Sequence, residues 1–173
     1  MTRTNRLGRL HQTTMLVEAL LMDQLALAET PAARCAYYRH TCDLPAGFHP
    51  EIGRITVRAG FVGAITMPAP LGQQVHDDLI HHRNPLGPVI SHVRSRRWTF
   101  LIRPDLPDDV RLFAELFRLN VSIVPIGGEI ALPSPADLNA GYREWIVAPE
   151  NNFRPSGAAI VDTVRSCRNM GPR

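Results

Sequence analysis

The sequence contains no lysine: all nineteen basic residues of its 173 are arginine. This absence excludes a phosphate-loop lysine, a Schiff base and a lysine nucleophile. Arginine can still bind phosphate, because its planar guanidinium reaches two oxygens at once. A codon bias toward GC-rich triplets explains most of the lysine deficit. The formal net charge of +3 is therefore only a weak indication of nucleic-acid binding.

Long apolar runs are also missing from the chain. None approaches the roughly 18–20 residues that a membrane-spanning helix needs. Glu18 and Asp23 interrupt the apolar part of the N-terminal stretch, and no clean signal-peptide cleavage site follows it. We therefore expect a cytoplasmic protein that is not associated with a membrane.

The three cysteines, Cys35, Cys42 and Cys167, are too few and too widely spread for a disulfide framework. The spacing of Cys35 and Cys42 does not match a zinc knuckle. His40 and His49 lie nearby in the sequence, so a metal site is one alternative. Reduced, partly buried cysteines are the favoured interpretation, and we predict no metal and no cofactor.

Motifs of common enzyme classes are absent. The sequence has no G-x-S-x-G nucleophile elbow and no G-x-G-x-x-G dinucleotide fingerprint. Asp108 and Asp109 form an acidic pair at the predicted start of a helix, where carboxylates complement the helix dipole. No catalytic residue is predicted.

The hydrophobic pattern changes period along the chain, and the changes order the predicted elements. Helix, two strands, helix, two strands, helix, two strands and helix follow one another. This order favours an α+β fold, an α/β sandwich in which helices cover a mostly antiparallel or mixed sheet. We expect residues 1–12 to be a flexible basic arm and residues 13–173 to be a single globular domain.

Several local expectations follow from the same pattern. The stretch GPVISHVRSRRWTFLIRP predicts a hairpin with Trp98, Phe100 and Ile102 on one face. A helix is predicted from LPDDVRLFAELFRLN, with Val110, Phe113 and Phe117 on one face, flanked by Leu112 and Leu116. DLPAGFHPEIG is rich in turn residues. A closing helix is predicted in SGAAIVDTVRSCR, capped by Ser156.

The stretch HDDLIHH at residues 76–82 is the strongest metal-like pattern. On a helix, Asp77 faces His81 and Asp78 faces His82, because residues four apart are neighbours. Such pairs can hold a metal, so an enzyme with its site on this helix is one alternative. A solvated polar face is the favoured interpretation, since the apolar positions lie elsewhere on the helix.

The turn RSRRW is the most cationic part of the chain. Arg94, Arg96 and Arg97 beside Trp98 can clamp phosphates while the indole stacks a base. The strand alternation instead favours an inward Trp98 that packs with its apolar neighbours. The three arginines remain candidate contacts.

Three segments together resemble the primase-polymerase domain found at the N-terminus of bifunctional DNA primase/polymerases, and in particular short stand-alone actinobacterial proteins with a degenerate form of it. The resemblance spans about residues 54–165. The segments are GAITMPAPLGQQVHDDL, VISHVRSRRWTFLI and the stretch from Gly127 to Pro149. The last contains the family's order of residues: Gly127, Gly128, Pro133, Ser134, Gly141, Tyr142 and Trp145.

The chain departs from this family at the catalytic positions. Thr66 and Pro68 stand where active members have two metal-binding acids, and Trp98 stands near the family's histidine. The stretch RLNVSIVPIGG lacks the third acid. Two-metal phosphoryl transfer needs such acids, so the resemblance implies a catalytically inactive binding or regulatory module.

The resemblance implies nucleic acid, a nucleotide or a replication or transcription protein as the partner. The expected contacts are Arg94, Arg96, Arg97, Ser134 and Arg143. A pure protein-interaction domain without a small ligand is the remaining alternative.

Overall fold

The computed structural model describes residues 30–138 and 141–169. Within them, helices and antiparallel sheets form an α+β fold, which confirms the predicted class. The predicted arm at residues 1–12 and the helix expected before residue 30 lie outside these ranges. No helix in the described ranges is long and apolar enough to cross a bilayer.

The strands, in chain order, are β1 (Ala46–His49), β2 (Arg54–Arg58), β3 (Gly63–Pro68), β4 (Val89–His92), β5 (Arg97–Ile102), β6 (Ser122–Ile123), β7 (Glu129–Leu132) and β8 (Arg143–Val147). The helices are α1 (Pro31–His40), α2 (Ala69–His81), α3 (Val110–Phe117), α4 (Pro135–Leu138) and α5 (Gly157–Asn169). The predicted hairpin is confirmed as β4 and β5, and the strands predicted on either side of Gly60 are confirmed as β2 and β3.

The strands form two antiparallel sheets where the sequence predicted one. The larger sheet has the order β6-β3-β5-β4-β8, and the smaller has the order β1-β2-β7. The chain crosses from one sheet to the other three times: between β2 and β3, between β6 and β7, and between β7 and β8. The smaller sheet therefore contains strands from distant parts of the sequence.

The five-stranded sheet has a core on each face. Trp98, Phe100 and Ile102 point toward α2, α3 and α5, as the alternation predicts. The opposite face presents Ile90 and Leu101 to the three-stranded sheet and α1. This second face positions the candidate site described below.

Three elements of the structure were not predicted from the sequence. Strand β1 lies within the stretch read as turns, α4 follows Pro133, and β8 follows Gly141. All three are five residues or shorter. Elements of this length show too few repeats for a period to be recognised.

The predicted apolar face of α3 is wrong. Leu112 and Leu116 are the buried residues, whereas Val110 and Phe117 are 78% and 80% exposed. Both sets recur at helical spacing, so the pattern alone could not decide between them. Packing against the five-stranded sheet selects the leucines.

The cap of α5 also differs from the prediction. The backbone N–H of Gly157 donates to Asp105 Oδ1 at 2.7 Å. A carboxylate from a loop before α3 therefore satisfies the helix start, and it suits the positive end of the helix dipole. The predicted side-chain cap by Ser156 is not seen.

Candidate functional site

A polar cleft of about 250 Å³ lies between the two sheets. One wall is the inner face of β3, β4, β5 and β8, and the other is formed by Val124 and by β7. The cleft is lined by Thr66, His92, Ser95, Arg97, Thr99, Val124, Glu129, Ile130, Ala131 and Arg143. Buried apolar side chains cover the rest of this face, so the polar groups are confined to one end of the sheet.

A chain of side-chain hydrogen bonds crosses three strands at the floor of the cleft. His92 Nε2 lies 2.9 Å from Thr99 Oγ1, and that hydroxyl lies 2.9 Å from Thr66 Oγ1. Thr66 and Thr99 occupy directly paired positions on β3 and β5. The three side chains are therefore held in one arrangement by the register of the sheet.

Basic side chains occupy directly opposed positions on β8, β4 and β5. His92 pairs with Arg143 on one side and with Arg97 on the other. Directly opposed residues on neighbouring strands have Cβ atoms about 4.5–5.5 Å apart. The inner face thus has a row of three basic groups, which we call the basic row.

Arg97 is partly committed to the fold. Its guanidinium donates to Thr66 O at 3.1 Å and to both Asn120 Oδ1 and Asn120 O. These bonds tie β5 to β3 and to the turn before β6. Arg97 therefore contributes its charge to the cleft from a fixed position, whereas the sequence predicted a free contact on the hairpin turn.

Arg143 carries the least satisfied group in the cleft. Its Nη1 lies 3.1 Å from Asp137 Oδ1, and its side chain is only 18% exposed. Its Nε is buried and has no hydrogen-bond partner among the residues that the structure describes. A buried donor without a partner is costly, so Arg143 is the residue of the basic row whose hydrogen bonding is least complete.

His92 is neutral near pH 7. Burial lowers the pKa of its imidazole, and the positive charges of Arg143 and Arg97 lower it further. Asp137 acts in the opposite direction and is the weaker influence. A histidine whose charge is suppressed by its neighbours responds to any anion that offsets those charges.

Ser134 has a structural role in place of the predicted contact. It is buried, and its hydroxyl donates to Gly53 O at 2.7 Å. Its backbone N–H donates to Asp137 Oδ2 at 3.0 Å, which orients the carboxylate that meets Arg143. Ser134 therefore acts on the cleft through Asp137 and does not line it.

The other two predicted arginines lie on the turn between β4 and β5. Arg94 and Arg96 are exposed, and the Arg94 guanidinium carbon lies 4.0 Å from the centre of the Tyr142 ring. Tyr142 precedes Arg143 in the chain, and Ser95 lines the cleft. Both arginines are therefore at the cleft end of the sheet.

The positions that the sequence resemblance aligns with catalytic residues do not all converge on the cleft. Thr66 lines it, and Pro68 ends the same strand. Trp98, aligned by sequence with the family's histidine, faces the helices on the opposite side of the sheet. Its neighbour Thr99 is in the cleft, and the histidine that reaches this end is His92 on the adjacent strand.

The HDDLIHH stretch lies on α2 as predicted, with its polar side chains bonded to one another. Asp77 Oδ1 accepts from Gln73 and lies 3.1 Å from His76 Nδ1. His82 Nδ1 lies 3.3 Å from Asp78 Oδ2. In the part of the chain that the structure describes, no three His, Cys, Asp or Glu side chains are grouped so as to hold a metal ion.

Two larger cavities lie elsewhere, and one of them contains Arg154, whose Nε is likewise buried without a partner among the described residues. One of about 320 Å³, beside Phe113 and Ile126, is mainly apolar and includes the acidic Asp108. Another of about 580 Å³ contains two arginines. Of these, Arg154 donates to the carbonyls of Cys42, Asp43 and Asn152, and Arg103 lies 3.6 Å from Asp105.

Comparison with family models, curated proteins and solved structures gives no match to this chain. The cleft is therefore interpreted from its own residues. The sequence predicted Arg97 and Arg143 as contacts and aligned Thr66 with a missing catalytic acid, but it did not single out the cleft residues His92 and Thr99 or the partner of Arg143, Asp137. The alternation of VISH places His92 on the same face as Ile90, which was the available signal.

Proposed function

We propose that this chain is a primase-polymerase-like binding module that holds a phosphate group of nucleic acid or of a nucleotide in the cleft. The observation that carries the proposal is the basic row of Arg143, His92 and Arg97. Arg143 and Arg97 lie on either side of His92, and their positive charges disfavour a proton on its imidazole. A phosphate among them turns this repulsion into charge-assisted hydrogen bonding.

The residues at the floor of the cleft support a binding module that does not catalyse metal-dependent polymerisation. Thr66 and Pro68 occupy the positions of the family's first two acids, and neither provides a carboxylate ligand. Asp137 is bonded to Arg143, and Glu129 is an exposed residue of the rim. This donor set suits an anion better than a pair of divalent cations.

The surroundings of the cleft favour a nucleic-acid or nucleotide ligand over other phosphate compounds. Arg94 and Arg96 extend the positive charge beyond the cleft, and Tyr142 offers an aromatic ring beside it. Exposed arginines and aromatic rings are the usual contacts of single-stranded nucleic acid. A module of this kind can present a strand or nucleotide to proteins of replication or transcription.

Binding of a labelled single-stranded oligonucleotide, followed by fluorescence anisotropy, tests the proposal. Affinity should fall steeply between about 50 and about 200 mM salt, because phosphate contacts release counterions. Arg143→Gln should weaken binding about tenfold or more. Arg168→Gln removes the same charge from α5, across the five-stranded sheet, and should have little effect.

Two outcomes would contradict the proposal. One is an affinity that does not depend on salt, or no binding. The other is an equal loss for Arg143→Gln and Arg168→Gln, which would indicate a diffuse effect of net charge.

Alanine at both Arg94 and Arg96 should weaken binding of all sequences alike if the turn contacts phosphates.

A further inference from the structure

This inference rests on the proposed function and concerns the class of phosphate. We propose that the cleft recognises a terminal phosphate, with two negative charges and three free oxygens, in preference to the internal phosphodiesters of a strand. The 5′ end of a nucleic acid and a free nucleoside monophosphate both present such a group. The shared chemistry is that of a phosphate monoester.

The arrangement of donors matches a group with three free oxygens. Arg143, His92 and Arg97 come from three adjacent strands, whose axes are about 4.8 Å apart. Within the described ranges, neither Arg143 Nε nor His92 Nδ1 has a hydrogen-bond partner. A terminal phosphate offers each side chain its own oxygen, whereas an internal diester has two free oxygens for the three.

The size and walls of the cleft favour an end over a continuous strand. About 250 Å³ is below the usual range of about 300–1,000 Å³ for pockets that enclose a whole small-molecule ligand. Ile130 and Ala131 of β7 line the wall of the cleft that belongs to the other sheet. A strand passing through would bring its next phosphates toward Glu129 and Asp137, which carry negative charge.

His92 distinguishes one negative charge from two. The groups around it are Arg97 and Thr99 on β5, Arg143 on β8, Asp137 on α4 and Glu129 on β7. A bound dianion offsets the two guanidinium charges and so favours a proton on the imidazole. By linkage, the proton also strengthens binding of the dianion. Affinity therefore increases as the pH falls from about 8 to about 6.5, above the second pKa of the phosphate near 6.

The test compares two oligonucleotides of one sequence, one with a 5′-phosphate and one with a 5′-hydroxyl. The 5′-phosphorylated strand should bind the full-length protein about tenfold more tightly at pH 7. Its advantage should grow toward pH 6.5 and shrink toward pH 8. His92→Gln should remove most of this pH dependence, and Arg168→Gln should retain it.

Adding a nucleoside monophosphate separates the two sources of the group. Competition with the 5′-phosphorylated strand shows that a free nucleotide suffices, and absence of competition assigns the preference to the strand end. Equal affinity for the two oligonucleotides would overturn the inference while leaving salt-dependent binding, and the proposed function, in place. No binding of either strand or of the monophosphate would overturn both. The comparison between strands uses the unsubstituted protein, so it does not depend on the folding of a variant.

Discussion

His92 illustrates how neighbours determine the chemistry of one residue. The same imidazole on an exposed helix would titrate near its usual pKa of about 6.5. In the basic row it is buried and opposed by arginines on both sides, so its charged form is suppressed. Its hydrogen bond to Thr99 fixes the ring against the floor of the cleft.

The lowered pKa of His92 predicts a pH dependence of folding. Below about pH 6.5 the unfolded chain binds a proton at this position that the folded chain does not. The free energy of unfolding therefore decreases as the pH is lowered. This loss continues down to the lowered pKa of the folded state. His92→Gln should therefore lose less stability than the unsubstituted protein between about pH 7.5 and about pH 5.5.

Urea unfolding at the two pH values measures this difference. Comparing the variant with the unsubstituted protein cancels the contributions of other titrating groups, provided that they are not coupled to His92. An identical pH dependence for the two proteins would show that His92 has the same pKa in the folded and unfolded states.

Some of these residues could be predicted from the sequence. Alternation identified the inward face of β5 correctly for Trp98 and its apolar neighbours. The resemblance aligns Trp98, which lies on that face, with a histidine of the family, although the cleft lies on the other face. A shift of one residue moves every side chain to the opposite face of a strand. The position of β7 determines which face of β5 borders the cleft. No local sequence pattern indicates that β7 belongs to a second sheet.

At the scale of elements, α2 approaches β5 more closely than ordinary helix–sheet packing allows. A Cβ atom built on Gly72 would lie 2.9 Å from Trp98 Cβ and 3.0 Å from the indole Cε3. Glycine at this position lets the helix rest against the indole. The absence of a side chain here is a packing requirement, because Gly72 is not in the left-handed region of φ.

Gly72→Ala should therefore destabilise the protein by about 1–3 kcal/mol through overpacking, despite the better helix propensity of alanine. Gly60→Ala is the matched control, since no heavy atom lies within 4 Å of a Cβ at Gly60. The control should leave stability unchanged or raise it by up to about 1 kcal/mol. Urea unfolding followed by tryptophan fluorescence measures both; equal effects would show that the contact with Trp98 relaxes without cost.

Elements with long, regular patterns could be predicted from the sequence, and short or exposed ones could not. Helix α2 and the β4–β5 hairpin have several apolar repeats and clear breaks at each end. Strand β8 alternates in burial, but each of its five residues is at least partly exposed. Helix α3 has two apolar stripes, and tertiary packing chose the leucines over Val110 and Phe117.

At the scale of the whole molecule, Tyr38 connects the two sheets. It lies on α1 and is fully buried. Its hydroxyl donates to Pro133 O at 2.8 Å, after β7 of the smaller sheet. The same oxygen accepts from Trp145 Nε1 at 2.7 Å, on β8 of the larger sheet. One phenol oxygen therefore satisfies a polar group from each sheet.

Tyr38→Phe should lower the free energy of unfolding by about 1–3 kcal/mol, because it leaves two polar groups without their partner. Tyr37→Phe is the matched control. Tyr37 is 40% exposed, and its hydroxyl donates to Pro149 O at 3.1 Å. Water can replace that bond, so the control should cost about 1 kcal/mol or less. Chemical denaturation of both variants measures the difference, and a larger loss for Tyr37→Phe would contradict the bridging role.

The pairing of β7 with β2 has a consequence for the order of folding. Arg58 lies opposite Glu129, and nearly all of the larger sheet is encoded between them. During synthesis, the chain would emerge through β5 and β6 before the strand that closes the smaller sheet becomes available. Contacts this distant in sequence form slowly, because a long loop must close first. Until β7 docks, His92 and Arg97 face solvent, and Arg143 joins them only when β8, which follows β7 in the chain, has paired with β4. The enclosed cleft therefore belongs to a late stage of assembly.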